Sequence, residues 1–440
     1  MILLATLCFA DWAIAEDYYI SKAGNDANDG MTLHSAWATL EPANKKNLVP
    51  GDRILLEGGS RFAGPLHFDS EDRGTKETPI LVTSYGEGRA TIDAGIGAGI
   101  SATNTAGIVI SQINIIGRGR NDNRSDGINF YNDLPGATKL VRIDIDEVDI
   151  GGFGTNGISI GGWNGESGFK DIRITRAVIH DNGLNGLFIY AQQPNVHEQV
   201  YVGHVNSFHN SGIPTATSHS GSGIILGNVK GGVVEWSIAQ DNGWLGNAGI
   251  GLWAYDSTGI TIQHNESFNN RTAGDADGGG FGLDGGVTHS VLQYNFSHGN
   301  DGAGYLLCQY RDAPPWFGNI VRHNLSIDDG RKNDFAGIQI WNGGSGPLAD
   351  AEIHDNVVFV GPSEQGIPSA LFFRSGSNRF FVHHNAFAAT GEAFLIRAVP
   401  LQEELRFMNN RCWSIEQFRL FETTPWKLLG ARQSPNETCS

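Results

Sequence analysis

Short apolar runs opened by glycine recur along the chain, with inward and outward character alternating residue by residue. They read Gly127-Ile128-Asn129-Phe130, Gly157-Ile158-Ser159-Ile160, Gly186-Leu187-Phe188-Ile189, Gly223-Ile224-Ile225-Leu226, Gly249-Ile250-Gly251-Leu252, Gly280-Phe281-Gly282-Leu283, Gly304-Tyr305-Leu306-Leu307 and Gly337-Ile338-Gln339-Ile340. Alanine-led copies follow at Ala370-Leu371-Phe372-Phe373 and Ala393-Phe394-Leu395-Ile396. A second series ends on asparagine: Asn265, Asn295, Asn324, Asn356 and Asn385, spaced 30, 29, 32 and 29 residues apart. Two or three short strands per repeat, separated by Gly and Asn turns, predict a parallel β-helix with a coil every ~20–30 residues. Period-two alternation sends Phe281 and Leu283 into the core and Gly282 and Asp284 outward. Asparagines repeated at one turn suit an internal ladder of side-chain amides. Leucine-rich repeats and propellers fit worse, because neither period is present.

Four segments follow from this pattern. Residues 1–15, MILLATLCFADWAIA, are apolar and end in Ala13-Ile14-Ala15, which predicts an export signal although no Lys or Arg precedes the run. Residues 16–50 supply a strand, Tyr18-Tyr19-Ile20-Ser21, a Gly/Asp loop, and an expected capping helix over residues 35–48. Residues 51–411 form the coils, and residues 412–440 a C-terminal cap. The Tyr18 strand, the Pro50-Gly51-Asp52 turn and the asparagine-marked coils resemble right-handed parallel β-helix proteins of the pectate-lyase-like superfamily. That resemblance covers most of the chain and implies an all-β solenoid. It also implies extracellular polysaccharide lyases, glycoside hydrolases, epimerases or tailspikes; it fixes the scaffold and leaves the reaction open.

Composition narrows the partners. Sixty glycines with only 18% charged residues agree with tightly turned β-structure and disfavour disorder. A formal net charge of -17 lacks the basic footprint that nucleic acid needs, and no later stretch reaches the length of a membrane span. Of the four cysteines, Cys412 and Cys439 are candidates to pair in an oxidising compartment. A polysaccharide is the expected partner.

In-register stacking turns strand positions into columns. Aligned on the leading glycines, the outward column reads Tyr131, Gly161, Tyr190, Gly227, Trp253, Asp284, Cys308, Trp341, Arg374, Arg397. Tyr190, Trp253 and Trp341 are candidates to stack on sugar faces, Arg374 and Arg397 to grip the chain, and the glycines to leave room for it. The plainer reading packs these aromatics beneath loops. Three residues before successive leading glycines stand Asp277, Asp301 and Asp334, where turn chemistry competes with function. Hydrolysis needs a carboxyl pair, for which Asp277, Asp284 and Asp301 are candidates with His298 tuning one of them. No cofactor is then required. The alternative, a lyase or C5-epimerase on a uronate glycan, would use Ca²⁺ at Asp277, Asp301 and Asp334 with the two arginines on the uronate. A non-catalytic glycan-binding adhesin is the third class. His264, His323 and His384 precede ladder asparagines and read as a polar turn row. Asn123, Asn270 and Asn436 are the better glycosylation acceptors of the sequons present.

Overall fold

The computed structural model describes residues 14–216, 218–344, 346, 348–398, 404–415 and 439. Residues 1–13 of the expected export signal, and most of the expected C-terminal cap with Asn436, lie outside them. The described chain winds into a right-handed parallel β-helix of three sheets, with 15, 12 and 13 strands. Every pairing between named strands is parallel and joins a strand to its counterpart one coil away. Val291–Gln293, for example, pairs with Thr258–Gln263 on one side and Ile320–Arg322 on the other.

The alternation seen in the sequence is the one the coils use. Phe281 and Leu283 are fully buried, and Phe281 stacks on Tyr305 of the next coil with ring centroids 5.3 Å apart. The expected asparagine ladder runs from Asn265 to Asn410, each Nδ2 donating to the next Oδ1 at 2.9–3.1 Å. A second ladder at another corner was not anticipated: Asn182, Asn210, Asn242, Asn270 and Asn300, closed by Asp329. Asn270 therefore sits 1% exposed inside a ladder, and Asn123 is 2% exposed, which corrects the reading of both as glycosylation acceptors.

The N-terminal capping helix does not form. Residues 35–48 contain only the 3₁₀ turn Ala43–Lys45 and the end of a second one, Leu33–Ser35. The reason is local. The carbonyls of Ala36 and Trp37, which a helix would offer to residues 40 and 41, accept instead from the N–H of Asn25 and Ser21, and Pro42 inside the expected span has no N–H to donate. Trp37 takes over the capping role, stacking on Tyr18 with centroids 5.2 Å apart and pairing across the first strand, Asp17–Ile20. At the other end the strand Arg411–Ile415 continues the 13-stranded sheet, and Cys412 is bridged to Cys439 with Cα atoms 5.7 Å apart.

Candidate active site

The outward face of the 12-stranded sheet carries two columns of side chains. Strand pairing corrects their membership. Leu252 is opposite Phe281, so Trp253 aligns with Gly282, and Tyr255 takes the place beside Asp284. Phe372 is opposite Arg397, which moves Arg397 one outward position back as well. Both slips are of two residues, because Gly249 and Ala393 begin their runs one strand period early. Period two leaves each side chain on its expected face.

Much of this face is covered. Ile225, Trp253, Leu306 and Cys308 are buried and form an apolar cluster separate from the core, with Phe188, Tyr255 and Trp341 packed against it. Trp253 Nε1 donates to Ser222 Oγ at 3.1 Å, and His219 meets the indole edge-on at 4.9 Å. The glycines serve these aromatics. A Cβ on Gly161 would lie 2.5 Å from the Tyr190 ring, and one on Gly227 would lie 2.3 Å from that of Tyr255. The space expected for a ligand is thus filled by the tyrosine of the following coil.

At the middle of the face the side chains become polar. Asp284 follows the strand Gly279–Leu283, its backbone N–H donating to Ala254 O at 2.9 Å, and Asp277 stands on the loop that enters the same strand. Burial pushes the Asp277 carboxyl up to about 7; the Asp284 charge adds to the rise and Arg374 opposes it. Burial also raises Asp284, while hydrogen bonds from the Cys308 thiol and from Gly285 N–H, at 2.7 Å, pull it down. Burial thus raises both carboxyls, and the Asp284 charge raises Asp277 further.

The sequence reading missed the groups around these two. Asp256, one coil earlier, is raised by burial, lowered by the hydrogen bond that Tyr310 Oη donates at 2.8 Å, and raised by the Asp284 charge. Cys308 is free and buried, its thiol pushed up by burial and then by Asp284 and Asp277. His219, with its Nδ1 buried and unpartnered, is held down to about 4 by burial. Gln339 is 1% exposed with Oε1 lacking a hydrogen-bond partner. The two-residue slip hid the first of these: only the true register sets Tyr255-Asp256 against Asp284-Gly285, where a Cβ on Gly285 would strike the Tyr310 ring at 2.5 Å.

Other expected members lie elsewhere. His298 belongs to the 13-stranded sheet, where Nε2 meets Glu266 Oε1 at 3.0 Å and the ring stacks on Phe268, so it does not tune Asp284. Asp301 is ion-paired with Arg271 at 2.9 Å and accepts from Thr272 N–H, beside a cleft of about 830 Å³ lined also by Asp328 and Arg331. Asp334 accepts from Ile367 N–H at 2.7 Å and lies 3.9 Å from Arg397, whose guanidinium covers the Phe372 ring. Asp277, Asp301 and Asp334 are not among the donor groups that converge within 4.8 Å of one another among the described residues; Asp301 and Asp334 are engaged by Arg271, Thr272 and Ile367 instead.

No protein-family model matches the chain. It is 23% identical over 485 aligned residues to a lacto-N-biosidase of Bifidobacterium longum, covering 85% of this chain and 29% of that protein. The chain thus spans less than a third of the length of that relative. The crystal structure of the GH136 lacto-N-biosidase from Eubacterium ramulus superposes with a TM-score of 0.59 at 17% identity, covering 91% of this chain and 68% of that one. A pectate lyase structure, Pel9A, superposes with a TM-score of 0.48 over 78% of this chain. The likeness to the E. ramulus enzyme establishes the parallel β-helix fold. No helix among the described residues is long and apolar enough to cross a membrane.

Proposed function

We propose that this protein is an exported glycoside hydrolase of lacto-N-biosidase type, using Asp277 as general acid and Asp284 as the ionised partner. The observation that carries the reading is the placement of Asp277 just before and Asp284 just after the strand Gly279–Leu283, where burial raises both carboxyls and the Asp284 charge raises Asp277 further. Hydrolysis of a glycosidic bond needs one carboxylic acid to protonate the leaving oxygen and one carboxylate to act as nucleophile or to activate water. Asp277, raised to about 7, keeps its proton near neutrality. Asp284, hydrogen-bonded by the Cys308 thiol and Gly285 N–H, holds the negative charge. Trp341, half-buried at the edge of the aromatic cluster, would stack on a sugar ring, and Arg374 lies in the same column beyond Asp284. Similarity to two lacto-N-biosidases supports the substrate class. The Cys412–Cys439 bridge supports export, since such bonds persist in oxidising compartments. An adhesin has no use for a coupled acid pair.

The test is incubation of the purified protein with a chromogenic lacto-N-bioside and with neutral and acidic polysaccharides, with and without a chelator. Chelator-insensitive release of chromophore or new reducing ends supports hydrolysis. Unsaturated uronate absorbance, or binding without cleavage on every substrate, overturns it.

A further inference from the structure

Away from this face, the corner after the 15-stranded sheet carries a row of rings preceding the first asparagine ladder. Trp236, His264, Tyr294 and His323 stack coil on coil, nearly coplanar, with centroids 4.5, 5.3 and 5.0 Å apart. The next residue in this row is Asp355, and the one after it is His384. A stacking row gains nothing from a carboxylate. The adjoining column, the last position of the sheet, changes character over the same coils, from Arg322 to His354 and His383.

Asp355 is therefore enclosed by imidazoles: His323 from the coil before, His384 from the coil after and His354 from its own. Its Oδ2 lies 2.7 Å from His354 Nδ1, and donor atoms of His323, His354 and Asp355 all lie within 4.8 Å of one another. This is the one such convergence among the described residues. Nδ1 of His383 and Nδ1 of His384 approach to 2.8 Å next to it.

We propose that His323, His354 and Asp355 form a surface site for a divalent transition-metal ion such as Zn²⁺, with His384 available as a fourth ligand. Two or three imidazoles with one carboxylate are the borderline-soft donor set that Zn²⁺ takes in tetrahedral geometry. Bonds of about 2.0–2.1 Å place tetrahedral ligands about 3.3–3.4 Å apart, so the His354–Asp355 pair at 2.7 Å opens slightly around the ion while His323 adjusts to it, which side-chain rotation of the exposed His323 and Asp355 allows. The ion would tie two successive coils at one corner, or three with His384, and so act as a staple rather than a catalyst. This inference does not depend on the proposed hydrolase activity.

The experiment is calorimetric titration of Zn²⁺ into the untagged full chain at pH 7.5 after dialysis against a chelator. The expected result is one equivalent bound with a Kd below about 100 μM, together with a rise in Tm. His354→Gln and Asp355→Asn each weaken binding about tenfold or more, while His264→Gln, on the same row but two coils from Asp355's first imidazole neighbour, leaves it unchanged. Zinc-edge X-ray absorption on the wild-type protein, which requires no variant to fold, shows imidazole nitrogen neighbours at about 2.0–2.1 Å. Binding weaker than about 100 μM, binding that survives both substitutions, or an absorption spectrum without imidazole scattering overturns the proposal.

Discussion

Tyr310 donates its phenolic proton to Asp256 Oδ1 at 2.8 Å, and Asp256 stands one coil before Asp284, whose charge it feels. Hydrogen-bond donors serve both of these neighbouring carboxyls. Tyr310 serves Asp256 as Cys308 and Gly285 serve Asp284. Replacing Tyr310 by Phe removes the donor without removing the ring. The expected loss is about 1–2 kcal/mol of stability, measured by denaturant unfolding at pH 7. No change would mean that water supplies the bond equally well.

Asn295 accepts from the backbone and side chain of Asn265 and donates to Ile262 O and Asn324 Oδ1. Asn295→Ala strands polar groups on both neighbouring coils in a site that is 2% exposed. Unfolding free energy is expected to fall by about 3 kcal/mol. A loss under about 1 kcal/mol would show that the ladder is ornamental to stability.

How much of this was readable beforehand depends on the length scale. The 29–32-residue spacing of Asn265 to Asn385 carried the fold, because an in-register ladder tolerates no drift. Face assignment also survived, since the slips at Trp253 and Arg397 were of two residues. Sequence proximity misled where coils turn corners. His298 lies three residues from Asp301, yet the chain bends between them and the imidazole is spent on Glu266. The capping helix failed because Ser21 and Asn25, more than ten residues upstream, donate to the carbonyls of Trp37 and Ala36 that a helix would need, and Pro42 interrupts the span. Tyr310 and Asp256, 54 residues apart, were beyond any local pattern.

The disulfide closes a loop of 27 residues beside Asn410, the last rung of the first ladder. Its reduction is expected to lower stability by about 3–4 kcal/mol, seen as a lower Tm in a reducing melt. An unchanged Tm would place this end outside the cooperative unit.

Asp277 also links stability to pH. Its folded pKa of about 7 lies above the ordinary carboxylate value, so the folded state binds more protons than the unfolded one between these limits. Stability attributable to Asp277 therefore falls as pH rises from about 4 to about 7. Asp277→Asn abolishes that slope and gives a protein with a higher Tm than the wild type at pH 8. Parallel Tm–pH curves for the two proteins would contradict the assigned environment of Asp277.

The most direct test of the account is kcat/KM against pH for the wild type, Asp277→Asn and Asp284→Asn on a cleaved glycan. The wild type should lose activity as pH rises through about 7, where Asp277 gives up the proton it must donate. Each variant should fall by about 10³-fold or more, with the descending limb abolished in Asp277→Asn. Wild-type rates in either variant, or an unchanged limb in Asp277→Asn, would contradict the assignment of these two aspartates.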